Sequence, residues 1–144
     1  MSEVHTYHTA VQWSEERKGM LSSEGLSSIE VATPPQFPGG HAGIWSPEHL
    51  FVASAEVCLM TTFLSLAEKA RLEFQGYHSE ARGTLEKTEA GFWMTQIVIT
   101  PTLVIADEEL REKALNLFSK AEKYCLISNS MKTEVRIEPI VEVI

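Results

Sequence analysis

The hydrophobic and polar positions change rhythm several times along the chain. From His5 to Trp13 polar and apolar residues mix with Thr, Tyr and Val, which predicts a first strand. The polar run Ser14-Glu15-Glu16-Arg17-Lys18-Gly19 ends on glycine and predicts a turn. Met20 to Ser23 and Leu26 to Thr33 read as two further short strands around Glu24-Gly25. Pro34 to Gly43 holds three prolines and three glycines and reads as a loop. Ser46-Pro47-Glu48 then carries helix-start chemistry: a hydroxyl for the orphan N–H groups, proline at the first helical position, and a carboxylate at the positive end of the dipole. The segment that follows, Leu50 to Ala67, is apolar nearly all round, the mark of a buried central helix.

Alternation returns from Tyr77 to Thr88, turns at Glu89-Ala90-Gly91, and resumes from Phe92 to Val104, predicting a β-hairpin. Pro101 lacks a backbone N–H and is expected at an edge or a bulge. Asp107-Glu108-Glu109 opens a second helix with its apolar stripe at Leu110, Ala114, Leu117, Phe118 and Ala121. This helix runs into Tyr124-Cys125, and Thr133 to Ile144 is expected to close as one strand. Strands and helices are segregated, so the fold class is α+β, with one domain over residues 1–144.

Composition narrows the partners. The 144 residues are 44% hydrophobic and 22% charged, ordinary for a globular domain, and the chain is long enough to bury a core without staples. The formal net charge of −8, with no run of Lys or Arg, argues against nucleic acid and against an anionic membrane surface as partners. The Met1-Ser2-Glu3-Val4-His5-Thr6 terminus has no signal-peptide pattern, and no apolar run is expected to span a membrane. The resulting expectation is a cytoplasmic protein, where thiols stay reduced.

Against that background the two cysteines, Cys58 and Cys125, are either inert core residues or redox groups. Cys58 lies inside the apolar helix, with the hydroxyls of Ser54, Thr61 and Thr62 about one turn away, and Cys125 closes the second helix. Helices in contact have axes ~8–10 Å apart, which would let the two thiols come within bonding range if they face each other. The five histidines, His5, His8, His41, His49 and His78, form no His-x-x-x-His pair, and no Cys-x-x-Cys is present, so no metal is expected. Neither a Gly-x-Ser-x-Gly elbow nor a glycine-rich phosphate loop opening a helix occurs.

The segment Ser46-Pro47-Glu48-His49-Leu50-Phe51-Val52-Ala53-Ser54-Ala55-Glu56-Val57-Cys58-Leu59 resembles the Pro-Glu-x-Leu-(eight residues)-Cys motif of the OsmC/Ohr family, the osmotically inducible protein C and organic hydroperoxide resistance proteins. Ala121 to Ser128 resembles the family's second motif, a helix-ending Cys with Ser three residues on. Glu16-Arg17-Lys18-Gly19 resembles its arginine-bearing first turn. The order of elements agrees over essentially the whole chain. Two departures stand out: Leu126 follows Cys125 where proline is common, and Glu56 precedes Cys58 by two residues, where a nearby carboxylate would oppose thiolate formation.

The resemblance implies an OsmC-like fold of antiparallel-rich sheets around a buried central helix, in an intertwined homodimer. It implies a peroxidase acting on organic hydroperoxides, with hydrogen peroxide a further candidate. Cys58 would be the peroxidatic thiol, Cys125 the resolving thiol, and Arg17 and Glu48 an ion pair organising the thiolate. The reductant would be an external dithiol, such as a lipoyl or other thiol protein, with no cofactor. The apolar residues Phe51, Leu59, Met60 and Phe63 are either a substrate pocket or simply core. A non-catalytic dimer that binds a small apolar ligand, or a redox sensor, is the alternative. Glu48 and Cys58 are ten residues apart, a rise of ~15 Å on a straight helix. The expectation is therefore a broken helix or a site completed by a partner subunit.

Overall fold

The computed structural model describes residues 3–144; the reading of the terminus at Met1 and Ser2 lies outside the described residues. The chain divides into two compact units, Met1–Leu50 and Phe51–Ile144.

In the first unit, β1 (Ala10–Glu15), β2 (Lys18–Ser22) and β3 (Ile29–Ala32) form an antiparallel meander. Regular pairing begins at Ala10, later than the strand expected from His5, because Ala10 is opposite Ser22, the last residue of β2. Nothing in the meander is left to pair with residues 5–9. The expected turn contracts to Glu16-Arg17, with Glu16 at φ 49° and the Trp13 indole N–H donating to the Glu16 carbonyl at 2.8 Å. The proline- and glycine-rich stretch is a loop, pinned where Ala32 N–H donates to Trp45 O and His41 N–H to Thr33 O, both at 2.9 Å.

The helix α1 (Pro47–Lys69) starts where the sequence places it. Ser46 is fully buried, and its hydroxyl oxygen accepts the His49 backbone N–H at 3.2 Å. The helix is unbroken over 23 residues, so the expected break is absent. By length and composition α1 could cross a bilayer, contrary to the expectation that no run reaches that length. Its fully buried stripe, Ala55, Leu59, Phe63 and Ala67, instead faces the protein core. The four-residue spacing keeps that stripe on one face.

In the second unit, β4 (Gly76–Thr88) and β5 (Gly91–Ile105) form the expected hairpin. Gly83 lets α1 lie close on β4: a Cβ there would come within 2.3 Å of the Val52 side chain. After a 3₁₀ turn at Glu108–Leu110, whose first N–H groups are capped by Asp107, α2 (Arg111–Tyr124) buries Ala114, Leu117, Phe118 and Ala121. Cys125 then separates α2 from the one-turn α3 (Leu126–Asn129). The Phe63 and Phe118 rings stack at 4.1 Å, joining α1 to α2 across the core.

The closing segment is two strands rather than one: β6 (Glu134–Ile137) and β7 (Ile140–Val143), both parallel to β5. Pro139 lies in the break between them. This also corrects the expectation for Pro101, which sits in the central strand of the sheet. The carbonyls of Ile99 and Ile105 accept from Glu138 and Ile144, so odd-numbered residues in this part of β5 turn their backbone toward β6 and β7. Pro101 falls where the ladder passes from one to the other, and its missing N–H interrupts no bond.

Candidate active site

Both cysteines belong to the second unit and both are free thiols. Cys58 is partly exposed on α1; Cys125 is fully buried. Cys125 has an extended backbone (φ −69°, ψ 107°), which ends α2 and turns the chain into α3. That kink aims the first N–H groups of α3 at α1.

The consequence is electrostatic. Burial pushes the Cys58 thiol up, but hydrogen bonds from the Ile127 backbone N–H, the Cys125 thiol, the Thr62 hydroxyl and the Leu126 backbone N–H outweigh it. The net direction is down, toward the thiolate. For Cys125 burial dominates: it raises the thiol, and bonds from the Ser128 side chain and backbone only partly offset it. Ser128 Oγ donates to Cys125 Sγ at 3.3 Å. The two thiols thus interact and are polarised in opposite senses. Alkylation with iodoacetamide as a function of pH should therefore label Cys58 first, with a midpoint below that of an ordinary thiol, and Cys125 only at higher pH. Mass-spectrometric peptide mapping at each pH checks both the order and the sign.

Of the hydroxyls flagged on α1, only Thr62 reaches the sulfur, at 3.9 Å. Ser54 and Thr61 donate to their own helix carbonyls at Phe51 and Cys58. Glu56 points away from Cys58: its carboxylate accepts from Ser79 Oγ on β4 at 2.5 Å. A mainly polar cavity of about 610 Å³ opens there, its charged Glu56, Glu80, Arg82 and Glu138 standing beside the apolar Ala81 and Val98. Leu59 and Phe63 are core, and Phe51 packs against it. The exposed apolar side chains nearest the thiols in sequence are Val57, Tyr124, Leu126 and Ile127.

Arg17 and Glu48 belong to the first unit. Arg17 is exposed at the β1–β2 turn, its side chain lying against Gly39, where a Cβ would come within 3.2 Å of Nε. Gly39 has φ +76°, so this loop both needs glycine and leaves room for the arginine. Glu48 Oε1 is buried with no hydrogen-bond partner among the described residues. The ion pair implied for these two is not formed within the chain, among the described residues. Because α1 is continuous, Glu48 and Cys58 are separated along its axis by ~15 Å. That rise excludes direct contact between the two along the helix.

The arrangement missed from sequence is the set of α3 N–H groups at Cys58. The segment Leu126-Ile127-Ser128 carries no charge, and its backbone donors leave no trace in residue type. Tyr77, a half-buried phenol on β4, is pushed up to about 12 by burial, by Glu56 and by Cys125. Among the described residues no group of three His, Cys, Asp or Glu side chains converges to hold a metal.

Residues 40–139 match the family model described as OsmC-like protein. Among solved structures, an OsmC-like protein of unknown function from Vibrio cholerae superposes with TM-score 0.87 at 27% identity, covering 95% of this chain and 100% of that one. An organic hydroperoxide resistance protein from Legionella pneumophila gives TM-score 0.76 at 22% identity, over 99% of this chain and 100% of that one. The organic hydroperoxide resistance protein OhrB of Bacillus subtilis gives 0.70 at 20%, over 96% and 98%. No curated protein matches the sequence significantly.

Proposed function

Because the chain belongs to the OsmC-like protein family, we propose that it is a cysteine-based peroxidase that reduces organic hydroperoxides to alcohols. The observation that carries this reading is the opposite polarisation of two interacting free thiols, one favoured as thiolate and the other held protonated. The family includes structures named as organic hydroperoxide resistance proteins, which supports the choice of substrate class.

The cycle follows from the thiol chemistry. The Cys58 thiolate attacks one peroxide oxygen, the O–O bond breaks, and the alkoxide leaves and takes up a proton as alcohol, with Cys58 left as a sulfenic acid. Cys125 then attacks the Cys58 sulfur, releasing water and forming a disulfide, before a second peroxide overoxidises it. An external dithiol restores both thiols by exchange, a lipoyl or other thiol protein being the candidate class. Electrons move only among sulfur and oxygen atoms.

Arg17 and Glu48 enter this reading from a second copy of the chain, in a homodimer. Three features support that. The rise along the unbroken α1 keeps Glu48 of the same chain from direct contact with Cys58. Glu48 holds a buried, unpaired carboxylate oxygen. All of β1 is exposed in the single chain, Trp13 at 73% and Val11 at 67%. The guanidinium of Arg17 would lie near the thiolate and the attacked peroxide, with Glu48 holding it in place by a bidentate pair.

Stoichiometric tert-butyl hydroperoxide should convert the reduced protein to an intramolecular Cys58–Cys125 disulfide, and excess dithiol should sustain peroxide consumption. Two persistent free thiols would instead indicate a non-catalytic dimer that binds a small apolar ligand. A disulfide without turnover would indicate a redox sensor. Either result would overturn the peroxidase reading.

A further inference from the structure

The start of α1 carries an arrangement that the cycle above does not use. Ser46 is fully buried and precedes Pro47, the first helical residue. Its carbonyl accepts the first bond of the helix, from Leu50 N–H at 3.0 Å, and its hydroxyl oxygen accepts the His49 backbone N–H at 3.2 Å. His49 reaches back in turn. Its Nδ1 lies 3.3 Å from the Ser46 backbone nitrogen and 2.7 Å from the Ser46 hydroxyl oxygen. This is a reciprocal capping box, in which each side chain satisfies the other residue's backbone N–H. The usual residue at the third helical position of such a box is Glu or Gln. Here it is histidine.

A backbone N–H can only donate, so Nδ1 must offer a lone pair, which assigns the ring proton of the neutral imidazole to Nε2. The Ser46 hydroxyl then donates to the same nitrogen. The His49 ring also meets the Trp45 ring edge-on, with centroids 6.1 Å apart. Trp45 O in turn accepts the N–H of Ala32, the last residue of β3, at 2.9 Å, and the next residue, Thr33, donates its N–H to Arg17 O at 3.2 Å. Adjacent residues therefore anchor the arginine-bearing turn and the start of α1. Glu48 lies within the turn that the box closes, its Oε1 buried and without a partner among the described residues. All of these residues belong to the first unit.

We propose that His49 is a positioning residue: as the neutral Nε2–H tautomer it locks the first turn of α1, and so sets the direction from which Glu48 meets Arg17. The aim of a carboxylate two bonds beyond its Cβ depends on the backbone that carries it. Without the imidazole the Ser46 N–H loses its acceptor, the turn frays, and the Glu48 carboxylate samples several directions. A guanidinium held by a wandering carboxylate is poorly placed at the thiolate and the peroxide. This role rests on the peroxidase reading for its kinetic consequence, but not for the state of the imidazole or of the Ser46 amide.

The test pairs His49→Ala, which removes the acceptor, with His49→Gln, which keeps a neutral one at the same helical position. Nitrogen-15 NMR of the parent protein in alkaline solution should show the His49 proton on Nε2. Hydrogen exchange at the Ser46 amide should quicken roughly tenfold in His49→Ala, the loss of about one hydrogen bond, and return to the parent rate in His49→Gln. The kcat/KM for tert-butyl hydroperoxide should likewise fall roughly tenfold in His49→Ala and recover in His49→Gln. In a Glu48→Gln background, His49→Ala should cost nothing further, because His49 acts through Glu48. Equal losses in both backgrounds would mark a merely structural cap and overturn the proposal, as would an Nδ1–H tautomer. Should His49→Ala fail to fold, the tautomer and the rescue in His49→Gln still decide the matter. If the parent protein consumes no peroxide, the peroxidase reading fails, and Ser46 exchange in the two variants still shows whether His49 locks the turn that carries Glu48.

Discussion

Cys58→Ser is expected to abolish peroxide consumption, whereas Cys125→Ser should retain one fast turnover and then stall. The asymmetry follows from the two thiol environments. The reacting species is a thiolate, and Cys58 is the thiol that its hydrogen bonds move toward that form. A serine hydroxyl in its place is a far weaker nucleophile and cannot form a disulfide. Cys125 is buried and held protonated, so it cannot substitute for Cys58 at the peroxide. Without Cys125 the first oxidation still proceeds, because Thr62 and the α3 N–H groups remain at the Cys58 sulfur. The sulfenic acid then has no partner and climbs to sulfinic acid. Coupled peroxide-consumption assays measure the turnover, and intact-protein mass spectrometry measures the oxygen additions. Equal turnover by Cys58→Ser would eliminate the mechanism; a Cys125→Ser variant that cycles normally with a dithiol would eliminate the resolving role.

Phe63→Ala should produce the largest loss of stability among single truncations of the core, about 3–5 kcal/mol. Phe63 is fully buried and touches three other rings: Phe118 at 4.1 Å, Tyr77 at 5.7 Å and Phe74 at 6.3 Å. Truncation removes apolar surface from the middle of that cluster. Collapse is resisted because α1 is already held against β4 at Gly83, where no side chain can yield. Urea unfolding followed by circular dichroism reads the change. A loss under about 1 kcal/mol would show that the aromatic cluster closes over the gap.

Several elements were legible because local chemistry encodes them. Ser46-Pro47-Glu48 starts α1 as read, since capping depends on residues within one turn. The stripe from Ala114 to Ala121 and the hairpin at Glu89-Ala90 emerged with the expected periodicities. The misses involve neighbours distant in sequence. The strand at His5 fails because β2 ends at Ser22. The last strand splits at Pro139, and Pro101 is tolerated inside the sheet because that split lies opposite it.

The cysteine pair divides along the same line. Sequence by itself determined that one thiol falls inside a helix apolar nearly all round and the other at the end of an amphipathic one, and that Glu48 lies ten residues from Cys58, because helix phase and rise are local properties. Only the tertiary structure decided which donors meet which sulfur. The break at Cys125 swings α3 so that its N–H groups reach Cys58, and burial then separates the two thiols in acidity. Tyr77 and Glu48 each keep a buried oxygen without a partner among the described residues. A backbone N–H has no residue code, and the cost of desolvating a group depends on everything packed around it. Periodicity tells which face of a helix is covered; what covers it is settled when the helices meet.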